Sequence, residues 1–321
     1  MKTIANTRQA GASRALAHRL LSITPVALAL AACLPASALT IVPTYDVSVD
    51  AASKTVINSV IAGYAATFSD NVTVTIKFAG MTSGLGQSST YFYDENYATF
   101  MGALRLDATS VSDTTAMASV PLGVNPVTGG SLITVTRAQW QAVGLSGLFT
   151  PNGTSDWDSE IGLNFGSMNI GRTGPVDANK YDLQATVQHE INEVLGTVSN
   201  VDSGNTNIRP VDLFRYSAAG IRSFGARTDP AYLSINGGVT NLAGYNNQAS
   251  GDTGDFNGVT VRVQNAFSTT GVAGQANMGV EITALDVVGF NVITAVPEPE
   301  SYALMLAGLA GLGFVVRRRK A

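Results

Sequence analysis

The sequence predicts a single α+β domain with long loops. Two stretches, Ala51–Ala66 and Asp182–Val198, space their apolar residues as amphipathic helices do, whereas Asn71–Phe78 alternates apolar and polar residues as a half-buried strand does. Glycine, serine, threonine and asparagine are abundant and no long repeat is visible, which favours irregular connections over a repeat array. We therefore expect helices packed on a small mixed sheet.

The other elements follow from the same two patterns. Further helices are predicted at Tyr97–Leu106, Arg137–Val143 and Val280–Phe290, and further strands at Leu132–Thr136, Glu160–Phe165 and Val259–Val263. Residues 199–275 are rich in turn signals, so this part of the chain is expected to be mostly loop.

The N-terminal segment, residues 1–38, has the pattern of a secretory signal peptide. Four basic residues and no acidic one precede the apolar run Leu20–Leu34, and the small-x-small triplet Ala36-Ser37-Ala38 follows, which predicts cleavage after Ala38. Cys33 ends a sequence that also fits a lipoprotein box, so lipidation at Cys33 is the alternative. Cleavage after Ala38 would leave a mature chain without cysteine, and hence without disulfides or thiolate metal ligands.

The C-terminal segment, residues 296–321, closely resembles a PEP-CTERM sorting signal. Pro297-Glu298-Pro299 precedes the apolar run Ser301–Val316, and a basic cluster, Arg317–Lys320, ends the segment. The run is about as short as a membrane span can be, and the basic cluster is expected to stay cytoplasmic. The resemblance implies recognition by an exosortase, transient membrane attachment through this segment, and delivery to the cell surface or exopolysaccharide matrix of a Gram-negative bacterium.

The charge of the intervening domain, residues 39–295, is strongly negative. The two terminal segments hold eight of the 19 Lys and Arg residues but only two of the 23 Asp and Glu residues. The remainder is 11 basic and 21 acidic residues, a net charge of −10. This balance argues against nucleic acid or an anionic membrane surface as a partner, and it leaves carboxylates available to bind cations.

The most informative motif surrounds His189, the single histidine outside the N-terminal segment. In the predicted helix, His189 and Glu193 are four residues apart and project from one face, with Glu190 beside them. A His-Glu pair on a helix is the core of the zinc-protease motif, although Glu193 stands where that motif has a second histidine. The pattern indicates a metal site with His189 and Glu193 as ligands and Glu190 as the catalytic base that activates water.

Carboxylate ligands leave the identity of the metal open. Zinc accepts Asp and Glu oxygens, so Zn²⁺ is the expected cofactor, but an oxygen-rich site makes Mn²⁺ or Ca²⁺ more competitive. The alternative interpretation is that His-Glu-x-x-Glu is merely the solvated face of an amphipathic helix.

A third ligand must come from elsewhere in the chain. Asp212 is the first candidate because of its separation from the motif and its apolar neighbours, and Asp252 and Asp255 are the competing candidates. Asp212 could instead form a salt bridge to Arg215 or cap a turn. Tyr216 is a possible donor to an oxyanion.

Taken in order, HEINEVLG, DLFRYS, YLSINGG and GDTGDF, followed by the C-terminal signal, resemble a family of PEP-CTERM-anchored metalloproteases with an HExxExxG motif. The resemblance implies a zincin- or metzincin-like fold and hydrolysis of peptide bonds in a protein or peptide substrate. The competing function is a non-catalytic, cation-binding matrix or adhesion protein on the same scaffold.

Overall fold

Three parallel strands and one antiparallel edge strand form the main sheet of the protein. The computed structural model describes residues 39–146, 157–172, 176–202, 207–272 and 278–293, together with positions 306 and 308. In chain order the strands are β1 (Thr40–Tyr45), β2 (Thr73–Gly80), β3 (Gly86–Thr90), β4 (Phe92–Asn96), β5 (Leu132–Thr136), β6 (Ser159–Leu163), β7 (Met168–Asn169), β8 (Tyr181–Asp182), β9 (Arg215–Ala218), β10 (Ile221–Arg222), β11 (Tyr232–Leu233) and β12 (Ala243–Gly244).

Six α-helices lie within the described residues, and with the sheets they make an α+β fold. Their bounds are α1 (Ala51–Thr67), α2 (Tyr97–Asp107), α3 (Val111–Met117), α4 (Arg137–Ala142), α5 (Leu183–Leu195) and α6 (Gly279–Val287). Short 3-10 turns lie at Phe165–Ser167 and Pro210–Phe214.

The main sheet has the strand order β1-β2-β6-β3. β2 lies parallel to both β1 and β6, and Val74, Ile76 and Phe78 alternate inward from it as the sequence predicts. β3 pairs with β6 in the opposite direction, and no strand among the described residues pairs with its other edge. A second, smaller sheet has the order β10-β9-β11-β12, and two strand pairs, β4–β5 and β7–β8, stand apart from both.

Helix α5 is the element that carries the His189 motif. It begins at Leu183, where the Asp182 side chain accepts a hydrogen bond from the backbone N–H of Gln184 at 3.0 Å. It ends at Leu195 rather than at the predicted Val198, because Gly196 takes a φ of 124° that favours glycine. A Cβ at Gly196 would also collide with the Gln139 side chain, so a residue other than glycine is doubly disfavoured there.

The sequence predicts most of the long elements correctly. The strand predicted at 259–263 is wrong: Val259 is fully exposed and the segment forms turns instead of pairing with another strand. β1 and β3 were not expected, and the five residues of β3 (Gly-Gln-Ser-Ser-Thr) have no apolar alternation. The pairing of β3 with β6 is a long-range contact that such a local pattern does not announce.

The predicted processing segments fall outside the described residues. Residues 1–38 are not described, and of the apolar run 301–316 only Leu306 and Gly308 are. Among the residues that the structure describes, no helix combines the length and apolar character needed to cross a membrane.

Candidate metal centre

Three potential metal ligands converge above helix α5. The His189 Nε2 atom lies 3.6 Å from Glu193 Oε1 and 3.5 Å from Asp255 Oδ1. One ligand atom from each of the three residues falls within 4.8 Å of the others. Glu193 and Asp255 are 5% and 3% exposed, so the carboxylates lie inside the fold. The alternative of a solvated helix face is therefore wrong.

The orientation of the His189 ring is fixed by a contact to Nδ1, the ring nitrogen that does not face the carboxylates. Its Nδ1 atom lies 3.0 Å from the carbonyl oxygen of Val263, an acceptor that selects the tautomer with the proton on Nδ1. This leaves the Nε2 lone pair directed at the carboxylates, as a metal-binding histidine requires. The segment predicted to be a strand thus supplies a carbonyl to the site.

Charge and burial act on the His189 ring in opposite directions. Burial lowers the pKa of His189, but the neighbouring Asp255 and Glu193 carboxylates outweigh this effect, and the pKa rises well above its ordinary 6.5. The carboxylates that would accompany a cation therefore also favour a proton on Nε2. A metal ion must displace that proton, so occupancy is expected to rise with pH.

Glu193 is held by groups on both sides. Its Oε2 atom accepts a 2.7 Å hydrogen bond from the Ser88 hydroxyl on β3, while Oε1 faces His189. Burial raises the pKa of Glu193, but the hydrogen bond and charge of His189, with help from Ser88, more than reverse the shift. The Glu193 carboxylate is therefore ionised and fixed in direction.

Glu190 packs against a glycine of the edge strand. A Cβ at Gly86 would collide with Glu190 Oε1 and would lie 2.8 Å from Thr186 Cγ2, so only glycine leaves room for this carboxyl group. Burial, only partly offset by His189, raises the pKa of Glu190 well above its ordinary 4.5. A carboxyl group with a raised pKa beside a metal site is a suitable proton acceptor near neutral pH.

Asp255 reaches the cluster because its turn is anchored to the segment that follows α5. The buried Arg215 donates to the Thr253 carbonyl at 2.7 Å, and the Thr253 hydroxyl donates to the Val201 carbonyl at 3.1 Å. Gly254 packs so closely that a Cβ there would lie 2.7 Å from the backbone of Thr197. Burial raises the pKa of Asp255 to about 7, with His189 opposing the shift.

A relay of hydrogen bonds connects Asp255 to helix α1. The Tyr64 hydroxyl donates to Asn192 Oδ1 at 2.6 Å, Asn192 Nδ2 donates to Gln264 Oε1 at 3.1 Å, and Gln264 Nε2 donates to Asp255 Oδ1 at 2.9 Å. Tyr64, Asn192 and Gln264 are all buried. Such outer partners orient a ligand and limit its motion.

The structure does not bring Asp212 into the cluster. Its two carboxylate oxygens accept hydrogen bonds from the Ser199 hydroxyl at 2.6 Å and from the backbone N–H groups of Asn200 and Arg209 at 3.1 and 2.9 Å. Burial raises the pKa of Asp212 against these donors. Asp212 therefore organises the loop after α5, as the turn-capping alternative supposes, and Asp255 takes the place at His189.

The other two sequence candidates have different fates. Asp252 lines the cleft but does not belong to the three-residue cluster. Tyr216 is 1% exposed, its hydroxyl lies 3.4 Å from the Ser119 hydroxyl, and it does not line the cleft. The prediction that Tyr216 donates to an oxyanion in this cleft is therefore wrong.

A cleft of about 560 Å³ opens over the cluster. One wall is the edge strand β3, whose Gly86 and Ser88 contact Glu190 and Glu193. Backbone hydrogen bonds run from Asn164 N–H to the Leu85 carbonyl and from Tyr91 N–H to the Asp158 carbonyl, one at each end of β3. They show that the odd-numbered residues of this segment direct their backbone groups towards β6. The alternate backbone groups of β3, at 86, 88 and 90, therefore point to its open side.

The two separations measured from His189 match the spacing between ligands of one cation. Two ligands held at zinc–oxygen and zinc–nitrogen distances in a tetrahedron are roughly 3.3–3.6 Å apart. The 3.6 and 3.5 Å separations at His189 fit this range, and they are longer than ordinary charge-assisted hydrogen bonds. One imidazole and two carboxylates suit zinc or manganese better than calcium, which prefers six to eight oxygens.

Several residues of the site carry no recognisable signal in the sequence. Ser88 and Gly86 lie on an unpredicted strand, Gln264 lies in an unpatterned loop, and Arg209 reaches the cleft from a segment beside Pro210. Their positions depend on contacts between distant parts of the chain. By contrast, His189, Glu190 and Glu193 are adjacent on one helix and could be selected from spacing alone.

Comparison with known proteins gives one result, at the C-terminus. Residues 295–320 match the PEP-CTERM protein-sorting motif. The match supports the sequence prediction for this segment: the motif implies recognition by an exosortase, export, and sorting to the surface of Gram-negative bacteria. No curated protein and no solved structure matches the chain significantly.

Proposed function

We propose that the domain is a metal-dependent peptidase of the zincin type, which acts at the cell surface or in the surrounding matrix. His189, Glu193 and Asp255 would hold one divalent cation, and Glu190 would serve as the general base. The observation that carries the proposal is the convergence of His189 Nε2 with the two carboxylates, at 3.6 and 3.5 Å, beside the buried Glu190.

The cation bound there would supply Lewis acidity, which polarises a peptide carbonyl and makes water acidic enough to react near neutral pH. Glu190 would accept the proton that water loses and later deliver it to the leaving amine. Its raised pKa and its position one residue after His189 suit both transfers. Ser88 and the Val263 carbonyl would hold Glu193 and His189 in position.

The open edge of β3 supports a polypeptide as the substrate. An extended peptide can add to such an edge through main-chain hydrogen bonds, and the side chains would then alternate between the cleft and solvent. Because β3 borders both Glu190 and Glu193, a peptide bound there would pass directly over the cluster.

Zinc is the proposed cofactor. Calcium would need several further oxygen ligands, whereas zinc is satisfied by three protein ligands and one open position. The competing function, a non-catalytic cation-binding protein, would use the same three ligands but would place no demand on Glu190.

The test compares the purified protein with Glu190→Gln and His189→Ala. We expect zinc in the parent and in Glu190→Gln, measured by elemental analysis, and loss of zinc in His189→Ala. The rate of casein proteolysis in Glu190→Gln should be roughly 10²- to 10⁴-fold lower than in the parent, the contribution of a general base.

Glu160→Gln is the matched control, because Glu160 is a half-exposed carboxylate paired with Lys77 at 3.2 Å. It should change neither zinc content nor proteolysis. Zinc binding without casein cleavage in the parent would favour the non-catalytic function, and unchanged zinc content in His189→Ala would reject the site altogether.

A further inference from the structure

One basic side chain, Arg209, stands in the otherwise acidic cleft. Of the described residues that line the cleft, it is the only Lys or Arg. The carbon of its guanidinium lies 3.8 Å from the centre of the Phe92 ring, a stacking contact that fixes the plane of the group. Within the described parts of the chain, no carboxylate oxygen lies within ion-pair distance of it.

The hydrogen-bonding capacity of Arg209 is mostly unused. Nη1 makes a long 3.4 Å bond to the Ser199 carbonyl, and Nε is buried with no partner. Burial lowers the pKa of Arg209 while Asp212 and Glu193 raise it, and a guanidinium stays charged in either case. The weak Nη1 bond and the unbonded Nη2 atom leave most of the charged group's donors to be satisfied from the cleft side.

The nearest carboxylates do not provide that completion. Asp212 already accepts bonds from Ser199 and from two backbone N–H groups. Glu193 is directed to His189 and Ser88. Arg209 lines the cleft, its Nη2 atom has no hydrogen bond to the described residues, and its Nη1 bond is long. The Nη1–Nη2 edge of the guanidinium can therefore recognise a carboxylate through two parallel hydrogen bonds.

The position of Arg209 separates it from the proposed chemistry. Strand β3 runs from Gly86, beside Glu190, to Ser88, beside Glu193, and the chain then continues to Phe92, beneath Arg209. A peptide lying along β3 would therefore meet Arg209 beyond Glu193, at one end of the cleft. This location fits recognition of the substrate rather than stabilisation of charge at the scissile bond.

We infer that Arg209, stacked on Phe92, is a specificity-determining residue that binds a carboxylate of the polypeptide in the cleft. The carboxylate belongs either to an Asp or Glu side chain or to the C-terminus of the peptide. This inference rests on the proposed function, because it names the substrate class of the same site.

The test measures capture of peptides without requiring catalysis. Zinc-loaded Glu190→Gln protein is immobilised, a proteome-derived peptide library is passed over it, and the retained peptides are identified by mass spectrometry. We expect enrichment of acidic residues at a fixed position or of free C-termini. Adding Arg209→Gln should weaken binding of the enriched peptides roughly ten- to a hundredfold, the effect of losing a hydrogen bond to a charged group.

A second library with amidated C-termini identifies the source of the carboxylate. Enrichment that survives amidation assigns a side chain, and enrichment that disappears assigns the chain terminus. Arg209→Lys keeps the charge but loses the planar fork, so it should restore binding only in part. Arg137→Gln, which alters an arginine paired with Asp158 outside the cleft, is the matched control and should leave retention unchanged.

The thermal melting temperature of each variant checks that the fold is intact. Retention without an acidic or terminal preference, or an unchanged preference in the Arg209→Gln variant, would overturn the inference. A parent protein that cuts no substrate while retention still depends on Arg209 would reject the peptidase and leave the carboxylate site standing. A parent protein that cleaves casein but retains the same peptides with and without Arg209 would support the peptidase and reject the carboxylate site.

Discussion

At the scale of single residues, the structure distinguishes two aspartates that the sequence treats as rivals. Asp255 faces His189 at 3.5 Å, whereas Asp212 is satisfied by Ser199 and backbone N–H groups. The two carboxylates are similarly buried, so burial alone would not separate their roles. Their hydrogen-bond partners do.

We predict opposite consequences for the two amide substitutions. Asp255→Asn should lower zinc affinity by more than the roughly 10- to 100-fold typical of losing an outer-shell partner. Asp212→Asn should leave zinc affinity unchanged but cost about 1–3 kcal/mol of stability, because the new amide N–H₂ faces existing donors. Zinc competition titration and chemical denaturation measure the two effects. Loss of zinc in Asp212→Asn with retention in Asp255→Asn would return Asp212 to the ligand set.

At the scale of elements, α5 is positioned by its contact with α1 as well as with the sheet. The Tyr64 hydroxyl donates to Asn192 Oδ1 at 2.6 Å and also lies 2.9 Å from the Gln188 carbonyl oxygen. From Asn192 the relay continues to Gln264 and Asp255. The buried Tyr64 hydroxyl therefore helps to fix the positions of both the helix that carries His189 and the loop that carries Asp255.

Tyr64→Phe tests this coupling. Removal of the hydroxyl leaves the buried Asn192 oxygen without its donor, and we expect a loss of about 1–3 kcal/mol in the free energy of unfolding. Zinc affinity should also fall, because Gln264 loses its fixed orientation. Tyr45→Phe is the control: it removes an exposed hydroxyl bonded to Asn58 at 2.8 Å and should change stability by less than about 0.5 kcal/mol. Equal effects of the two substitutions would argue against the relay.

Individual elements show which parts of the fold can be predicted from local sequence patterns. Helix α5 and strand β2 were predicted because their apolar residues repeat with the period of a helix and of a strand. Strand β3 was missed because polar residues occupy both of its faces, and its existence depends on pairing with β6, whose residues lie 69 to 77 positions further along the chain. The motif residues on one helix were found from spacing, whereas Asp255 required knowledge of the turn that Arg215 and Gly254 hold in place.

At the scale of the whole molecule, negative charge is concentrated away from the cleft as well as in it. Asp70, Asp107 and Asp286 lie near one another and near Asp113, and the Asn291 side chain donates to both Asp70 and Asp107. Burial, reinforced by mutual repulsion, raises the pKa of each of the first three to about 6.

These shifts make stability depend on pH with a definite sign. A carboxyl group whose pKa is raised on folding binds more protons in the folded state between its ordinary pKa, near 4, and about 6. Stability from this cluster is therefore greatest at the acidic end of that window and is lost as the pH rises through about 6. The cluster favours the folded state in mildly acidic surroundings.

Asp286→Asn should relieve part of this penalty. The amide oxygen can still accept the hydrogen bond from the Ser110 hydroxyl, now 2.8 Å, so we expect a higher melting temperature than the parent at pH 8 and little difference at pH 4. Asp113→Ala is the contrasting variant: it removes the acceptor of the backbone N–H groups of Thr109 and Ser110, so it should lower the melting temperature at both pH values. A gain for Asp286→Asn that is the same at both pH values would rule out titration as its cause.

The missing side chain at Gly86 has a consequence for how such chains diverge. Glu190 occupies the volume that any larger residue at position 86 would need, so the two positions are bound to each other across more than 100 residues of sequence. A related chain that did not need the proposed role of Glu190 could carry a larger residue at position 86 and a different residue at position 190. Under the proposed function, paired loss of Gly86 and Glu190 would therefore mark inactive relatives, even where the histidine is kept.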